Sequence, residues 1–242
     1  MPRQVHRWMY PPPKGLISAI LFIQIILYIL SHPILSTFSY FCSMELHNTT
    51  LGLQLPTDPR WVNLAEMELG EILTDHAYCE QKAATACITL IQAYPDREEM
   101  VDALAPVVTE EWGHFRMVLQ ELKKRNLKLG RQRKDEYVNA LLAFQQKGGT
   151  RDAALFEKLL TCALIEARSC ERFRLLSLYC SDEALRGWYH KFMVAEAGHY
   201  RLFLELAETY FGKDATQRRW MDYRQFEAEL LLDMTPRGDR MH

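Results

Sequence analysis

From Leu69 onward apolar residues return at every third or fourth position, so the chain reads as a series of long amphipathic helices. The first stripe is Leu69, Leu73, His76, Glu80, Ala83, Cys87 and Leu90, on a helix expected from about Pro59 to Ala93 with a break near Gly70. Thr57-Asp58-Pro59 supplies its cap and a first-turn proline. Tyr94-Pro95 ends it, and Asp96 with Glu99 predicts a capping box for a second helix, kinked at Pro106, that reaches Arg125. That helix aligns Leu104, Val107, Glu111, His114, Val118 and Leu122 on one face. A shorter helix is expected over Asp135–Lys147, stopped by Gly148-Gly149. A third long helix runs from Arg151 to Tyr179, the turn Cys180-Ser181-Asp182 follows, and a fourth continues to Phe211. A last helix, Ala215 to Met234, offers Trp220, Tyr223, Phe226 and Leu230 for packing, and the tail Thr235–His242 is expected to fray. No strand pattern occurs after Met44. Four long helices joined as two hairpins predict an all-α fold, a four-helix bundle with additional helices.

Polar residues interrupt these apolar stripes at matching places. Glu111-Trp112-Gly113-His114 recurs as Glu196-Ala197-Gly198-His199 at an offset of 85 residues (196 − 111), with an aromatic after each His and a shared Arg and Leu beyond it. The shared flanks indicate an internally duplicated helix pair. A Glu and a His three residues apart point to the same side of a helix. Inside an apolar core they need a partner, because an unpaired buried charge costs several kcal/mol or more, and a metal ion is one such partner. Two-metal carboxylate bundles take Glu-x-x-His from each of two helices and one Glu from each of the other two.

Hairpin geometry locates the remaining two. In an antiparallel pair, side chains at equal height flank the turn at equal distances. The midpoint of Glu80 and Glu111 falls at Pro95-Asp96, and that of Glu166 and Glu196 at Ser181. Glu171 would miss by roughly 7 Å along the axis. Glu80, Glu111, His114, Glu166, Glu196 and His199 are therefore the expected metal ligands. Two divalent ions would neutralise the four carboxylates, and oxygen-rich ligation with two nitrogens suits iron or manganese. His76, one turn before Glu80, reads first as a histidine satisfied by neighbouring helices, with a supporting role beside Glu80 as the other reading. Trp112, Trp188 and Tyr200 read as packing residues.

The formal net charge of −2 gives no global signal for nucleic acid, so binding of a polyanion has to come from a local patch. One exists: Lys123, Lys124, Arg125, Lys128, Arg131, Arg133 and Lys134 place seven cations in twelve residues without an acid. It is expected to extend the helix that bears Glu111 and His114. The six cysteines form no Cys-x-x-Cys pair and read as reduced thiols. Residues 1–43 differ in character, with a basic start followed by the apolar run Leu16–Leu30. They read either as an over-extended start, with translation beginning at Met44, or as a short membrane anchor within 16–42.

Four runs together resemble one family: Leu73-Thr74-Asp75-His76-Ala77-Tyr78-Cys79-Glu80-Gln81-Lys82-Ala83-Ala84, Glu111-Trp112-Gly113-His114, Leu164-Ile165-Glu166-Ala167-Arg168-Ser169-Cys170-Glu171-Arg172-Phe173, and Glu196-Ala197-Gly198-His199-Tyr200. The sequence is similar to the MiaE family over about Leu51 to Met234. The resemblance implies a ferritin-like di-iron domain over 44–242 and O2-dependent hydroxylation of the isopentenyl group of 2-methylthio-N6-isopentenyladenosine, next to the tRNA anticodon, giving 2-methylthio-cis-ribozeatin. It also implies two iron ions on the six residues above and O2 as co-substrate. No flavin or iron–sulfur motif is visible, so electrons are expected from an external donor, ferredoxin with its reductase. A cytoplasmic enzyme without a stable membrane partner is expected, with anchoring by residues 16–42 left open. The other reading of the same six residues is a ferritin-like metal-handling or peroxide-scavenging protein with no tRNA substrate.

Overall fold

The structure, a computed structural model, describes residues 50–242, and both readings of the apolar segment 1–43 lie outside the described residues. A short 3-10 turn, Thr50–Gly52, precedes seven helices: α1 (Trp61–Met67), α2 (Leu69–Ala93), α3 (Glu98–Lys124), α4 (Glu136–Phe144), α5 (Arg151–Tyr179), α6 (Glu183–Phe211) and α7 (Lys213–Asp233). No strand occurs among the described residues, and no helix there is long and apolar enough to cross a membrane. Helix α2 packs chiefly on α3 and α5 chiefly on α6, so the four long helices form the two expected hairpins.

Helix boundaries follow local chemistry in most places. Asp135, Thr150 and Asp182 each cap the helix that follows by accepting backbone N–H bonds, those of Val138, Ala153 and both Ala184 and Leu185 respectively. Several boundaries differ from the pattern: Arg60, with no side-chain cap, precedes α1 in place of the expected Thr57-Asp58-Pro59 start, and α4 stops at Phe144 rather than Lys147. The break before α2 falls at Glu68, where the backbone leaves the helical region at φ −120° and ψ 39°. The capping box at Asp96 does not form, because the Asp96 carboxylate accepts from the Arg151 guanidinium at 3.0 Å instead, and Arg97 precedes α3 without a side-chain cap. Helix α3 continues through Pro106.

The apolar core is divided in two. One cluster gathers Leu90, Leu104, Val107, Leu164 and Phe203, and the other Leu73, Ala77, Val118, Phe173 and Phe192. On each long helix the polar candidates lie between residues of the first cluster and residues of the second, so the site sits near the middle of the bundle.

The tail Thr235–His242 does not fray. Met241 is 1% exposed, its N–H bonds to Asp75 Oδ2 at 2.9 Å, and Arg240 pairs with the other Asp75 oxygen at 2.8 Å. Trp61 Nε1 donates to the Arg237 carbonyl at 2.8 Å. Gly238 allows this docking: a Cβ there would stand 2.1 Å from the Leu64 carbonyl oxygen. These partners are far apart in sequence, so no local pattern announces the contact.

A buried ion pair ties α5 to α7. Arg168, fully buried, donates from Nε and Nη2 to the two Glu227 oxygens at 2.7 and 2.9 Å, and further to Glu171, the Leu55 carbonyl and Thr57. Removing one member leaves an uncompensated charge in the core. Glu227→Ala is expected to lower unfolding stability by about 3–5 kcal/mol in denaturant titration, and a loss well below 1 kcal/mol would show that the pair is not sealed from water.

Candidate metal centre

The i,i+3 spacing on α3 and α6 turns Glu111 with His114, and Glu196 with His199, into the bundle, while α2 and α5 contribute Glu80 and Glu166. Ligating atoms of Glu80, Glu111, His114 and Glu196 lie within 4.8 Å of one another, as do those of Glu111, Glu166, Glu196 and His199. Two sets of four thus share Glu111 and Glu196. The structure brings all six candidates together and places Glu171 elsewhere, bound to Arg168 and to Thr57 N and Oγ1 at 2.9 and 2.7 Å.

Both imidazoles turn Nδ1 toward the carboxylates. His199 Nδ1 is 2.7 Å from Glu111 Oε1 and 3.3 Å from Glu196 Oε2, and His114 Nδ1 is 3.4 Å from both Glu80 Oε2 and Glu111 Oε2. Both Glu111 oxygens and His114 Nδ1 are nevertheless buried without a hydrogen bond of acceptable geometry. Buried polar atoms are normally satisfied, so orphaned donor atoms converging on one point fit a cation. Four carboxylates match the charge of two divalent ions, and the oxygen-rich donor set fits iron or manganese.

The supporting residues are more specific than the sequence suggests. Fully buried His76 places Nε2 2.6 Å from Glu80 Oε1 and is enclosed by the rings of Phe173, Trp188, Tyr189 and Phe192. Burial and the nearby His114 hold His76 neutral, well below its ordinary range. His76 Nε2–H donates to Glu80 when Glu80 is ionised, and a protonated Glu80 donates to Nε2 instead. Glu110 was not anticipated. Its Oε2 lies 3.2 Å from His199 Nε2 and its Oε1 4.0 Å from His114 Nε2, so one carboxylate faces the outer nitrogen of both rings. The i,i+4 spacing of Glu110 and His114 was a visible signal, but the reach across to α6 was not.

Burial and mutual repulsion set the protonation of the metal-free cluster. Burial first, then the charge of Glu111, raises Glu80 well above the carboxylate range, and burial with Glu196 does the same to Glu166. Glu196 is raised to about 7 by burial and Glu111. Burial acts against the charge of Glu111 too, but contacts from His114 and His199 outweigh it and hold its pKa below the usual range. For His199, burial disfavours the cation, yet Glu111 and Glu196 push its pKa up to about 12.

The basic segment takes a different course from the one expected. Lys123 and Lys124 end α3, and Asn126 turns the chain with φ +58°. Leu127 N bonds back to the Leu122 carbonyl, and the loop then crosses α2, where Gly130 N donates to Thr74 Oγ1 and Tyr78 OH donates to the Gly130 carbonyl. Arg125 is held by Glu121 and Asp182, Arg133 by Glu71 and Asp239, and Lys124 stands 3.6 Å from Glu121. Lys123, Lys128, Arg131 and Lys134 are exposed and make no ion pair among the described residues.

This arrangement defines a ferritin-like helix bundle with a carboxylate–histidine centre. A protein from Synechococcus with aldehyde deformylating oxygenase activity has a similar structure, at TM-score 0.73 and 32% identity, over 78% of this chain and 94% of that one. The family profile of tRNA-(MS2IO6A)-hydroxylase (MiaE) matches residues 44–242. The chain belongs to the MiaE family. Among its relatives, the tRNA 2-(methylsulfanyl)-N(6)-isopentenyladenosine(37) hydroxylase of Pseudomonas putida is 33% identical, over 74% of this chain and 86% of that protein. The hydroxylase of the same name from Salmonella typhimurium is 26% identical, over 74% of this chain and 83% of its own.

A metal ion entering this cluster has to displace the protons held by Glu80, Glu166, Glu196 and His199. Its stabilising effect is therefore smallest at acid pH and grows as pH rises through about 7, toward which Glu196 is raised. The check is the difference in Tm with and without ferrous or manganous ion from about pH 5 to about pH 8. A difference that does not change with pH would contradict proton-linked binding.

Proposed function

We propose that this chain is an O2-dependent tRNA hydroxylase that converts the isopentenyl group of 2-methylthio-N6-isopentenyladenosine, beside the anticodon, to the hydroxylated cis-ribozeatin form. The observation that carries this reading is the convergence of four carboxylates and two imidazole nitrogens inside a chain of the MiaE family. Glu80 and His114 would hold one iron, Glu166 and His199 the other, with Glu111 and Glu196 available to both. When bound, the iron pair supplies the two-electron chemistry of O2. One oxygen atom becomes the new hydroxyl and the other leaves as water, with two electrons and two protons from outside. The electron donor is external, a ferredoxin with its reductase, and the reaction runs in the cytoplasm.

The protein's own residues do the positioning. His76 orients Glu80 through its Nε2–H, and Glu110 faces Nε2 of His199, which leaves Nδ1 free for metal. Phe192 lies 4.9 Å from the His114 ring, and Phe173 and Trp188 extend the same aromatic wall, which excludes water from the Glu80 side. Removing water matters because fixed dipoles and charges act more strongly where solvent cannot screen them.

A chain with net charge −2 needs its free cations to hold a polyanion. Lys123, Lys128, Arg131 and Lys134 serve for that, while Arg125 and Arg133 secure the loop itself. Such contacts go to phosphate and are sensitive to salt.

Nucleoside analysis of tRNA from cells with and without this protein tests the reaction. Its loss should remove the hydroxylated nucleoside and leave the prenylated precursor, and an unchanged profile together with reduced cellular iron storage would favour the metal-handling reading. In vitro, K128E/R131E/K134E should weaken tRNA binding at physiological salt and flatten the log-log salt slope by about 2 with iron content unchanged. Wild-type affinity in that variant would place the RNA on another face.

A further inference from the structure

A cavity of about 640 Å³ lies among α2, α4 and α5, outside the hydrogen-bonded network of the six candidate ligands but touching one of them. Of its lining residues, Leu90, Phe203 and Glu166 are buried, whereas Thr85, Thr89, Gln132 and Leu142 are exposed. Helix α2 lines it with the small side chains of Ala83 and Ala86, beside Cys79, Gln81 and an ion-paired Lys82, and α5 contributes Cys162 and Ile165. The cavity's size falls within the roughly 300–1,000 Å³ of small-molecule sites, and apolar walls with a few polar groups are the usual lining of such sites.

The buried and exposed lining residues differ in chemistry. Glu166, among the buried ones, shares the metal cluster with Glu111, Glu196 and His199. Gln132, among the exposed ones, belongs to the loop whose Arg131 and Lys134 are exposed and free of ion pairs among the described residues. A mostly apolar cavity therefore extends from Glu166 of the candidate centre to Gln132 of the loop that carries Arg131 and Lys134. A ligand that suits it has an apolar branch long enough to reach inward, a planar polar head and a phosphate backbone that stays outside.

We propose that this cavity receives the prenylated adenine, with the prenyl chain innermost beside Glu166, the adenine between Ala86 and Leu142, and the flanking phosphates on the Arg131–Lys134 loop. This assignment rests on the reaction proposed above. It makes Ala83 and Ala86 determinants of specificity, since their small size admits the branched chain. It also requires the nucleotide to leave the anticodon stack, which an exposed single-stranded position permits.

The test uses the full chain loaded with iron and an anticodon stem–loop RNA carrying the prenylated, methylthio-substituted adenosine. Ala86→Phe fills part of the cavity, and Leu142→Trp narrows it from a side chain already 46% exposed. Val194→Phe, at a 57% exposed position on α6 that does not line the cavity, is the control. Both cavity variants should lose at least about tenfold in kcat/KM, equivalent to about 1.4 kcal/mol. Their iron content and their affinity for the same RNA without the prenyl group should stay at the wild-type level. Turnover like wild type in iron-loaded Leu142→Trp and Ala86→Phe overturns the cavity assignment and leaves the reaction standing. Should Ala86→Phe fail to fold, Leu142→Trp alone decides. An iron-loaded wild-type chain that leaves the prenyl group untouched overturns the reaction, and the cavity assignment with it.

Discussion

Four acidic side chains held together in the interior of a helix bundle repel one another, and three of them, Glu80, Glu166 and Glu196, resist ionisation; much of this structure can be understood as the means of keeping them there. Moving each charge out of water costs several kcal/mol even after relaxation, so the four acids need cations or protons close by. Without metal the cluster answers with protons: Glu80 and Glu166 are raised well above the carboxylate range, and His199 is kept cationic between Glu111 and Glu196. With two divalent ions the charges cancel. The surrounding packing holds the site in register, because apolar clusters lie on both sides of it along the bundle axis and each helix contributes to both. The Arg168–Glu227 pair fixes α7 on α5 in the same low-dielectric interior, and Glu171 is taken up by Arg168 and Thr57 away from the centre.

Much of this plan is legible along the chain because it is written in local periods. The stripe spacing of three and four residues defines the long helices, and the turns at Pro95-Asp96 and Ser181 align Glu80 with Glu111 and Glu166 with Glu196 by symmetry alone. Axial height separates Glu166 from Glu171, because five residues are about a helical turn and a half. What was not legible depends on partners remote in sequence. Asp96 forgoes its capping box for Arg151, 55 residues on. The C-terminal tail looks polar and frayed, yet Asp75, Ser169 and Tyr137 receive it, the last by stacking on His242 at 5.1 Å. Glu110 reads as a surface acid until α6 brings His199 within reach.

The basic segment shows the same division between local and distant causes. Its composition was plain, but a straight continuation of α3 was the wrong geometry: Asn126 adopts a left-handed backbone, and bonds to Thr74 and Tyr78 lay the loop along α2. Charge alone could not separate the cations that brace this loop from those that face solvent. Arg125 and Arg133 are spent on acids of the fold, and Lys128, Arg131 and Lys134 lie along a loop that borders an apolar opening through Gln132. On the proposed reading, electrostatic attraction at the surface and apolar recognition inside would come from adjacent residues, as expected where a charged backbone must stay in water while one side chain of the substrate enters the protein.

The account stands or falls on the cluster holding two metal ions. Its most direct test is the iron content of the protein purified under anaerobic conditions, measured per chain by elemental analysis alongside Glu111→Ala. Glu111 belongs to both sets of four ligating residues, so its removal should strip both ions together. Two irons in the wild type and almost none in the variant is the expected result. A fully active wild-type chain with a single iron, or a variant that keeps its full complement, would contradict it.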